Sequence, residues 1–80
     1  MQTIFVMVKC ELGETYKVAS QAVDLVEKVS EVHSISGEYD LMLKCHLSDG
    51  QDIGHFVTED IQRLEGVKDT FTLITFKSFS

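Results

Sequence analysis

Apolar positions alternate from the first residues of the chain and place large side chains on both faces of a predicted strand. Over about residues 3–9, Ile4, Val6 and Val8 alternate with Phe5 and Met7. A strand that is apolar on both sides is typical of the middle of a sheet. After the turn at Gly13, apolar residues recur at helical spacing, at Val18, Ala19, Ala22, Val23 and Val26. This spacing predicts an amphipathic helix over about residues 15–28.

The middle of the chain predicts a β-hairpin. Strand signals cover about residues 31–36 and then Tyr39 to Leu47, with a tight turn at Gly37-Glu38 between them. Because so short a connection joins antiparallel neighbours, we expect these strands to pair with each other.

A second helix and a last strand follow. Ser48-Asp49-Gly50-Gln51 has the spacing of a capping box, and Gly66 is a helix stop. Between them lies an apolar stripe made of Ile53, Phe56, Val57, Ile61 and Leu64. The last strand is predicted over about residues 67–77, with Phe71 and Leu73 on one face and Thr70, Thr72, Ile74 and Phe76 on the other.

A weak internal repeat relates the two halves of the chain. The strand that opens at Val29 after the first helix matches the strand that opens at Val67 after the second. Two βαβ halves predict one α+β domain over residues 1–80, with the ferredoxin-like order βαββαβ and both helices on one face of a four-stranded antiparallel sheet. Both faces of that sheet carry apolar side chains, so the uncovered face is predicted to pack on a second copy in a homodimer.

Composition narrows the classes of function. The net charge is −6 and the seven basic residues are spread singly, which disfavours direct binding to nucleic acid. No apolar run reaches the roughly 20 residues of a membrane span, and the N-terminus lacks a secretion signal. We therefore expect a cytoplasmic protein that does not bind membranes, with Cys10 and Cys45 as reduced structural thiols.

The segment from Val32 to Lys44, with the later segment from Gly66 to Leu73, resembles the ligand-binding (RAM) domain of the Lrp/AsnC transcription regulators. The most specific part is Gly-x-Tyr-Asp at Gly37 to Asp40, followed in order by the Gly-Val…Thr-x-Thr pattern that leads the last strand. Members of that family carry a helix-turn-helix domain ahead of this unit, whereas here Met1 leads directly into the first strand. The resemblance implies a sensor, or a modulator of full-length regulators, that does not itself bind DNA. It further implies a free amino acid as ligand, no cofactor, and dimers that assemble into octamers or decamers with the ligand held where dimers meet.

The candidate ligand-binding residues are Gly37, Tyr39, Asp40, Thr70 and Thr72. An amino acid presents an ammonium and a carboxylate, which Asp40 and the N–H groups of a turn at Gly37 could receive. The same two residues could equally form only a hairpin turn. The resemblance implies that Thr70 and Thr72 supply hydroxyls near the ligand and that Tyr39 lines its pocket. Sheet packing is the alternative role for all three.

Other uses of this fold fit the sequence less well. His33, His46 and His55 lack the spacing of a metal site, and the lone arginine, Arg63, is misplaced for an acylphosphatase-type phosphate loop. An ACT-type amino-acid-binding module remains an alternative, because such modules carry a glycine in the loop after the first strand and Gly13 stands in that loop. A dimeric α/β-barrel enzyme of the monooxygenase or isomerase kind is the remaining alternative to a non-enzymatic sensor, with His33 or His46 in its sheet.

Overall fold

The order of strands and helices follows the predicted βαββαβ arrangement. A computed structural model describes all 80 residues. The elements are β1 (Gln2–Cys10), α1 (Thr15–Leu25), β2 (Val29–Ser34), β3 (Leu41–Leu47), α2 (Ile53–Phe56, continued by a π-helical turn over Val57–Ile61) and β4 (Val67–Ile74). The sheet has the order β2-β3-β1-β4, and every neighbouring pair is antiparallel. The ferredoxin-like fold and the interior position of β1 are therefore confirmed.

One face of the sheet and the two helices enclose the core. Ile4, Val6 and Val8 of β1 and Leu41 and Leu43 of β3 are at most 1% exposed. The helices contribute further buried side chains: Val18, Ala22, Phe56, Val57 and Ile61. No polar or charged residue is buried with them. The core is held by apolar burial, the dominant favourable contribution to folding.

The other face of the sheet has no helix over it. Phe5 pairs with Leu73 and Met7 pairs with Phe71 across β1 and β4, and directly paired residues share a face. Phe71 is 52% exposed and Leu73 is 45% exposed. The predicted apolar character of this helix-free face is thus present in the structure, and the dimer that would cover it stays a prediction.

The first helix is shorter than its apolar pattern indicates. It ends at Leu25 instead of residue 28, because Val26 already has extended backbone angles, φ −107° and ψ 98°. Val18, Ala22 and Val26 form the buried line, whereas Val23 is 65% exposed. The prediction that Val23 belongs to the buried stripe was therefore wrong.

The hairpin also differs in its bounds. β2 begins at Val29 and ends at Ser34, and β3 begins only at Leu41. Tyr39 and Asp40, predicted at the start of a strand, lie in the connecting loop. The backbone N–H of Asp40 donates to the carbonyl oxygen of Val8 at 2.9 Å. This contact with β1 was not visible in the local pattern.

The helix cap and the end of the last strand are two further corrections. Asp52 caps α2 by accepting a hydrogen bond from the N–H of His55 at 2.9 Å. Ser48 and Gln51 instead close a turn before the helix, since the N–H of Ser48 donates to Gln51 Oε1 at 3.2 Å. β4 ends at Ile74 instead of residue 77, because the Thr75 hydroxyl donates to the Thr3 carbonyl at 2.6 Å where a backbone ladder would continue.

No helix of the structure is both long enough and apolar enough to cross a membrane. Cys10 and Cys45 are free and buried, and the Cys45 side chain belongs to the core.

Candidate functional site

Three loops meet at the end of the sheet where β1 finishes and β4 starts. The hairpin loop 35–40 is tied to β1 through the Asp40–Val8 hydrogen bond and closed internally by the N–H of Ile35, which donates to the Asp40 carbonyl at 3.0 Å. The loop after β1 is tied to the start of β4, since the N–H of Glu11 donates to the Gly66 carbonyl at 2.8 Å. These bonds hold the loops in fixed relative positions.

The two carboxylate oxygens of Asp40 differ in their hydrogen bonding. Its Oδ2 accepts a hydrogen bond from the backbone N–H of Cys10 at 2.8 Å. Its Oδ1 accepts no hydrogen bond within the chain, and Asp40 lines a surface cavity. One oxygen therefore joins the hairpin to β1, and the other is available to a ligand.

The cavity at this end has a volume of about 470 Å³. That size falls within the roughly 300–1,000 Å³ of small-molecule sites. Its walls come from the end of β1, the loop after it, the start of α1, the hairpin loop and β4: Lys9, Cys10, Glu11, Leu12, Gly13, Thr15, Gly37, Glu38, Asp40 and Lys68. Both signs of charge are present, which suits a zwitterionic ligand.

The thiol of Cys10 contributes no negative charge to this cavity at neutral pH. Burial, and after it the charge of Asp40, raise the pKa of the Cys10 thiol, although a hydrogen bond involving Thr15 acts in the opposite direction. The electrostatic character of the cavity is therefore set by its carboxylates and lysines.

Gly37 has a backbone conformation that favours glycine. Its φ is +106°, yet a Cβ built there would meet no atom within 4 Å. The glycine is thus needed for the turn and not for space. The N–H groups of Gly37 and Glu38 donate no hydrogen bond within the chain, so they are free to meet a ligand or water.

Tyr39, Thr70 and Thr72 do not line this cavity. The Tyr39 ring stacks on Phe71 of the helix-free face, with ring centroids 6.1 Å apart. Thr70 and Thr72 pair with Val8 and Val6 and so face the helices. The Thr70 hydroxyl accepts a hydrogen bond from Gln62 Nε2 at 2.8 Å. Within one chain the structure brings Gly37 and Asp40 together and leaves the other three candidates elsewhere.

Lining residues that the sequence analysis missed are Lys9, Glu11, Glu38 and Lys68. Lys9 approaches the hairpin through the pairing of β1 with β3, and Lys68 approaches it through the pairing of β1 with β4, in which Lys9 stands opposite Asp69. In the sequence, Lys9 and Lys68 are recognisable only as charged residues near the ends of two strands. That they lie near the hairpin can be inferred only once the strand order is known.

The histidines form no metal centre. His33 Nε2 lies 2.9 Å from Glu31 Oε1, and His46 Nδ1 lies 3.2 Å from the Thr3 hydroxyl. No group of three or more His, Cys, Asp or Glu side chains has an arrangement that could hold a metal ion.

The chain is a ferredoxin-like domain with a charged cavity at the hairpin end of its sheet. Comparison with known families makes this specific: residues 3–80 match the model described as the Lrp/AsnC ligand binding domain. The chain belongs to this family.

Its curated relatives include regulators and part of an enzyme. The chain is 30% identical over 76 residues to an uncharacterised HTH-type transcriptional regulator of Pyrococcus furiosus, covering 92% of the chain and 51% of the regulator. The chain thus spans about half the length of that relative. It is also 32% identical over 72 residues to the homocitrate synthase of Sulfolobus acidocaldarius, covering 90% of the chain but 15% of the enzyme.

Solved structures share the whole fold. A protein of Thermus thermophilus superposes with a TM-score of 0.89 at 32% identity, over 100% of this chain and 99% of that one. A transcriptional regulator of Neisseria meningitidis, solved in complex with L-Met, superposes with a TM-score of 0.84 at 20% identity. The match covers 99% of this chain and 52% of the regulator, and at that identity it concerns the fold alone.

Proposed function

We propose that this domain binds a free amino acid and that binding modulates amino-acid-responsive transcription without the domain contacting DNA itself. The observation that carries the proposal is the cavity of mixed charge beside Gly37 and Asp40, in a chain of the Lrp/AsnC ligand-binding family. The Neisseria meningitidis regulator bound to L-Met supports it as a protein of the same fold with an amino acid ligand.

Asp40 is the partner of the ligand ammonium in this proposal. Its Oδ1 has no partner in the chain, while the bond from Cys10 to Oδ2 holds the carboxylate in place. The ligand carboxylate then meets the N–H groups of Gly37 and Glu38, helped by the positive charge of Lys68, which also lines the cavity. Charge-assisted hydrogen bonds of this kind are roughly twice as strong as neutral ones.

Tyr39, Thr70 and Thr72 enter the proposal through assembly. Tyr39 and the two threonines lie toward opposite faces of one sheet, so a single chain cannot gather all five candidate residues around one small molecule. We propose a homodimer through the helix-free face and its assembly into an octamer or decamer. Contact between dimers would complete the site with residues from a second subunit.

Partners and location follow from the same proposal. Full-length Lrp/AsnC regulators are proposed as partners, because a chain with a net charge of −6 is poorly suited to phosphate contacts of its own. The proposed cytoplasmic location agrees with two buried, unpaired thiols, which a reducing compartment maintains.

An enzymatic role is the weaker alternative. The matched relatives include transcription regulators, and the homocitrate synthase match covers only 15% of that enzyme. Neither of the two histidines considered for an enzyme lines the cavity beside Asp40, and His33 is exposed and hydrogen-bonded to Glu31. We therefore propose a non-enzymatic sensor.

A thermal-shift screen against the twenty amino acids tests the proposal. A ligand present at about 100 times its dissociation constant adds roughly 2.7 kcal/mol to stability. For a domain of this size that corresponds to a rise in melting temperature of roughly 10 °C or more. We expect such a rise with one amino acid or a few related ones, and it should shrink in Asp40→Asn but not in Asp24→Asn, which changes an exposed acid of α1. Absence of any rise would contradict amino acid binding.

A further inference from the structure

The walls of the cavity beside Asp40 offer charge and little apolar surface. The apolar side chains among its lining residues are Cys10, which is 7% exposed, and Leu12, which is fully exposed. Small-molecule sites that hold apolar groups do so by burying them against apolar walls. An aliphatic or aromatic side chain of a ligand would therefore bury little surface here.

The cavity lies on the side of the sheet that carries the helices. Cys10 continues the buried row of β1 that faces the helices, and Thr15 is the first residue of α1. The proposed homodimer covers the opposite, helix-free face. This cavity is therefore left open by that dimer.

The charged residues of the lining are more acidic than basic. Asp40, Glu11 and Glu38 bring three carboxylates, and Lys9 and Lys68 bring two ammonium groups. None of these side chains takes part in an ion pair within the chain. A ligand can therefore pair with them without breaking an existing ion pair.

An amino acid bound as proposed uses two of these charges. Its ammonium takes the charge of Asp40, and its carboxylate takes that of Lys68. The charges that remain for the side chain of the ligand are those of Lys9, Glu11 and Glu38. Two carboxylates then stand against one ammonium group.

The ammonium group of Lys9 is offset by a neighbour outside the cavity. Lys9 stands directly opposite Asp69 in the pairing of β1 with β4, and directly paired residues share a face. Opposite charges in such a pair attract each other. The charge that faces the side chain of the ligand is therefore negative, and Glu11 and Glu38 supply it.

The residues proposed to come from a second subunit leave this balance unchanged. Thr70 and Thr72 carry no ionisable group. Desolvation, and after it the charges of Glu38 and Asp69, raise the pKa of the Tyr39 phenol, so it is neutral at physiological pH. Completing the site with these residues adds no charge to it.

We propose that the amino acid bound beside Asp40 carries a cationic side chain, as lysine and arginine do. This inference rests on the proposed amino-acid function and adds the chemical class of the ligand. The side-chain cation meets Glu11 from the loop after β1 and Glu38 from the hairpin loop. An acidic side chain would meet the same two carboxylates and is disfavoured by repulsion between like charges.

Calorimetric titration of the full chain with L-lysine and with L-norleucine tests this proposal. Norleucine keeps the four-carbon side chain of lysine and lacks only its ammonium group. We expect lysine to bind about tenfold more tightly than norleucine, since it adds charge-assisted contacts with Glu11 and Glu38. L-Glutamate should bind more weakly than norleucine.

Two variants and one control locate the selectivity. Glu11→Gln and Glu38→Gln should each lower the affinity for lysine by about threefold, the size of effect expected for an exposed charge pair, and leave the affinity for norleucine unchanged. Their melting temperatures should not change, because both side chains are exposed. Glu27→Gln makes the same change in net charge outside the cavity and should not alter binding of either ligand.

The outcomes separate this inference from the function on which it rests. If norleucine or another neutral amino acid binds as tightly as lysine, the amino-acid function stands and the cationic class is overturned. If Glu27→Gln weakens lysine binding as much as Glu11→Gln and Glu38→Gln do, the assignment to these two residues is overturned. If no amino acid binds, the proposed function fails and the ligand class fails with it.

Discussion

Substituting Asp40 should separate its structural role from its role in binding, because its two carboxylate oxygens do different things. Oδ2 accepts the N–H of Cys10 at 2.8 Å, and Cys10 is only 7% exposed, so that N–H has little access to water. A hydrogen bond to a charged group contributes roughly 1.5–3 kcal/mol, and a neutral one contributes about 0.5–1.5 kcal/mol.

The two variants of Asp40 therefore differ in expected stability. Asp40→Ala leaves the Cys10 N–H without an acceptor and should lower the free energy of unfolding by about 2–3 kcal/mol. Asp40→Asn keeps an acceptor oxygen and should cost about 1 kcal/mol. Binding should respond differently, since Asn removes the charge that faces the ligand ammonium. The affinity for the amino acid should fall by about tenfold to a hundredfold in Asp40→Asn.

Urea unfolding followed by circular dichroism measures the first effect, and calorimetric titration of the folded protein measures the second. Asp24→Asn is the matched control and should change neither quantity. An affinity that is unchanged in folded Asp40→Asn would refute the assignment of Asp40 to the ligand. A cost below about 0.5 kcal/mol for Asp40→Ala would refute the structural role of its bond to Cys10.

Three further predictions concern stability and assembly. Gly66→Ala should lose about 2–4 kcal/mol in urea unfolding, because φ is +99° and the new Cβ would lie 3.0 Å from Glu14 Cβ and Val18 Cγ2. Gly13→Ala, with φ +80° and no atom within 4 Å, carries only the backbone strain, and equal losses in the two variants would contradict this account. Burial raises the pKa of Cys45 from its ordinary value of 9.0 to about 12. Between these values the unfolded thiol ionises and the folded one does not, so the free energy of unfolding should fall as pH rises above about 9, by up to about 1.4 kcal/mol per pH unit. Cys45→Ala should lack that slope, and parallel pH profiles of the two proteins would count against it. Phe71→Lys, on the helix-free face, should reduce the mass measured by light scattering to the 9.0 kDa monomer, whereas Val23→Lys on α1 should not. A wild-type mass of 9.0 kDa at micromolar concentration would refute the dimer.

Hydrophobic periodicity predicted the fold, and the errors in it have identifiable physical causes. The alternation around Ile4, Val6 and Val8 directly reflects burial under the helices, so β1 was placed correctly. The loop around Asp40 was predicted as strand because its contact is with Val8, on a strand distant in sequence. The helix cap was placed at Ser48 because both Ser48 and Asp52 precede the apolar stripe, and only the backbone path shows that Asp52 reaches the N–H of His55.

The sequence alone predicted only some of the residues of the candidate site. Gly37 and Asp40 belong to one short motif in one loop, so their proximity is local. The cavity charges at Lys9 and Lys68 depend on strand order and register, which local patterns do not specify. Thr70 and Thr72 face the helices because of the same register, and their proposed role now depends on contacts between subunits.

Hydrogen–deuterium exchange with and without the best amino acid from the screen tests whether the hairpin end of the sheet is the amino-acid site, whatever the size of the assembly. We expect slower exchange confined to the hairpin loop 35–40, the loop after β1 and the start of β4, where the walls of the cavity beside Asp40 lie. The strand ends around Thr3 and His46 should exchange at the same rate in both states. Unchanged exchange throughout the chain at saturating ligand, or protection around Thr3 and His46 alone, would contradict the proposal that this end of the sheet is the amino-acid site.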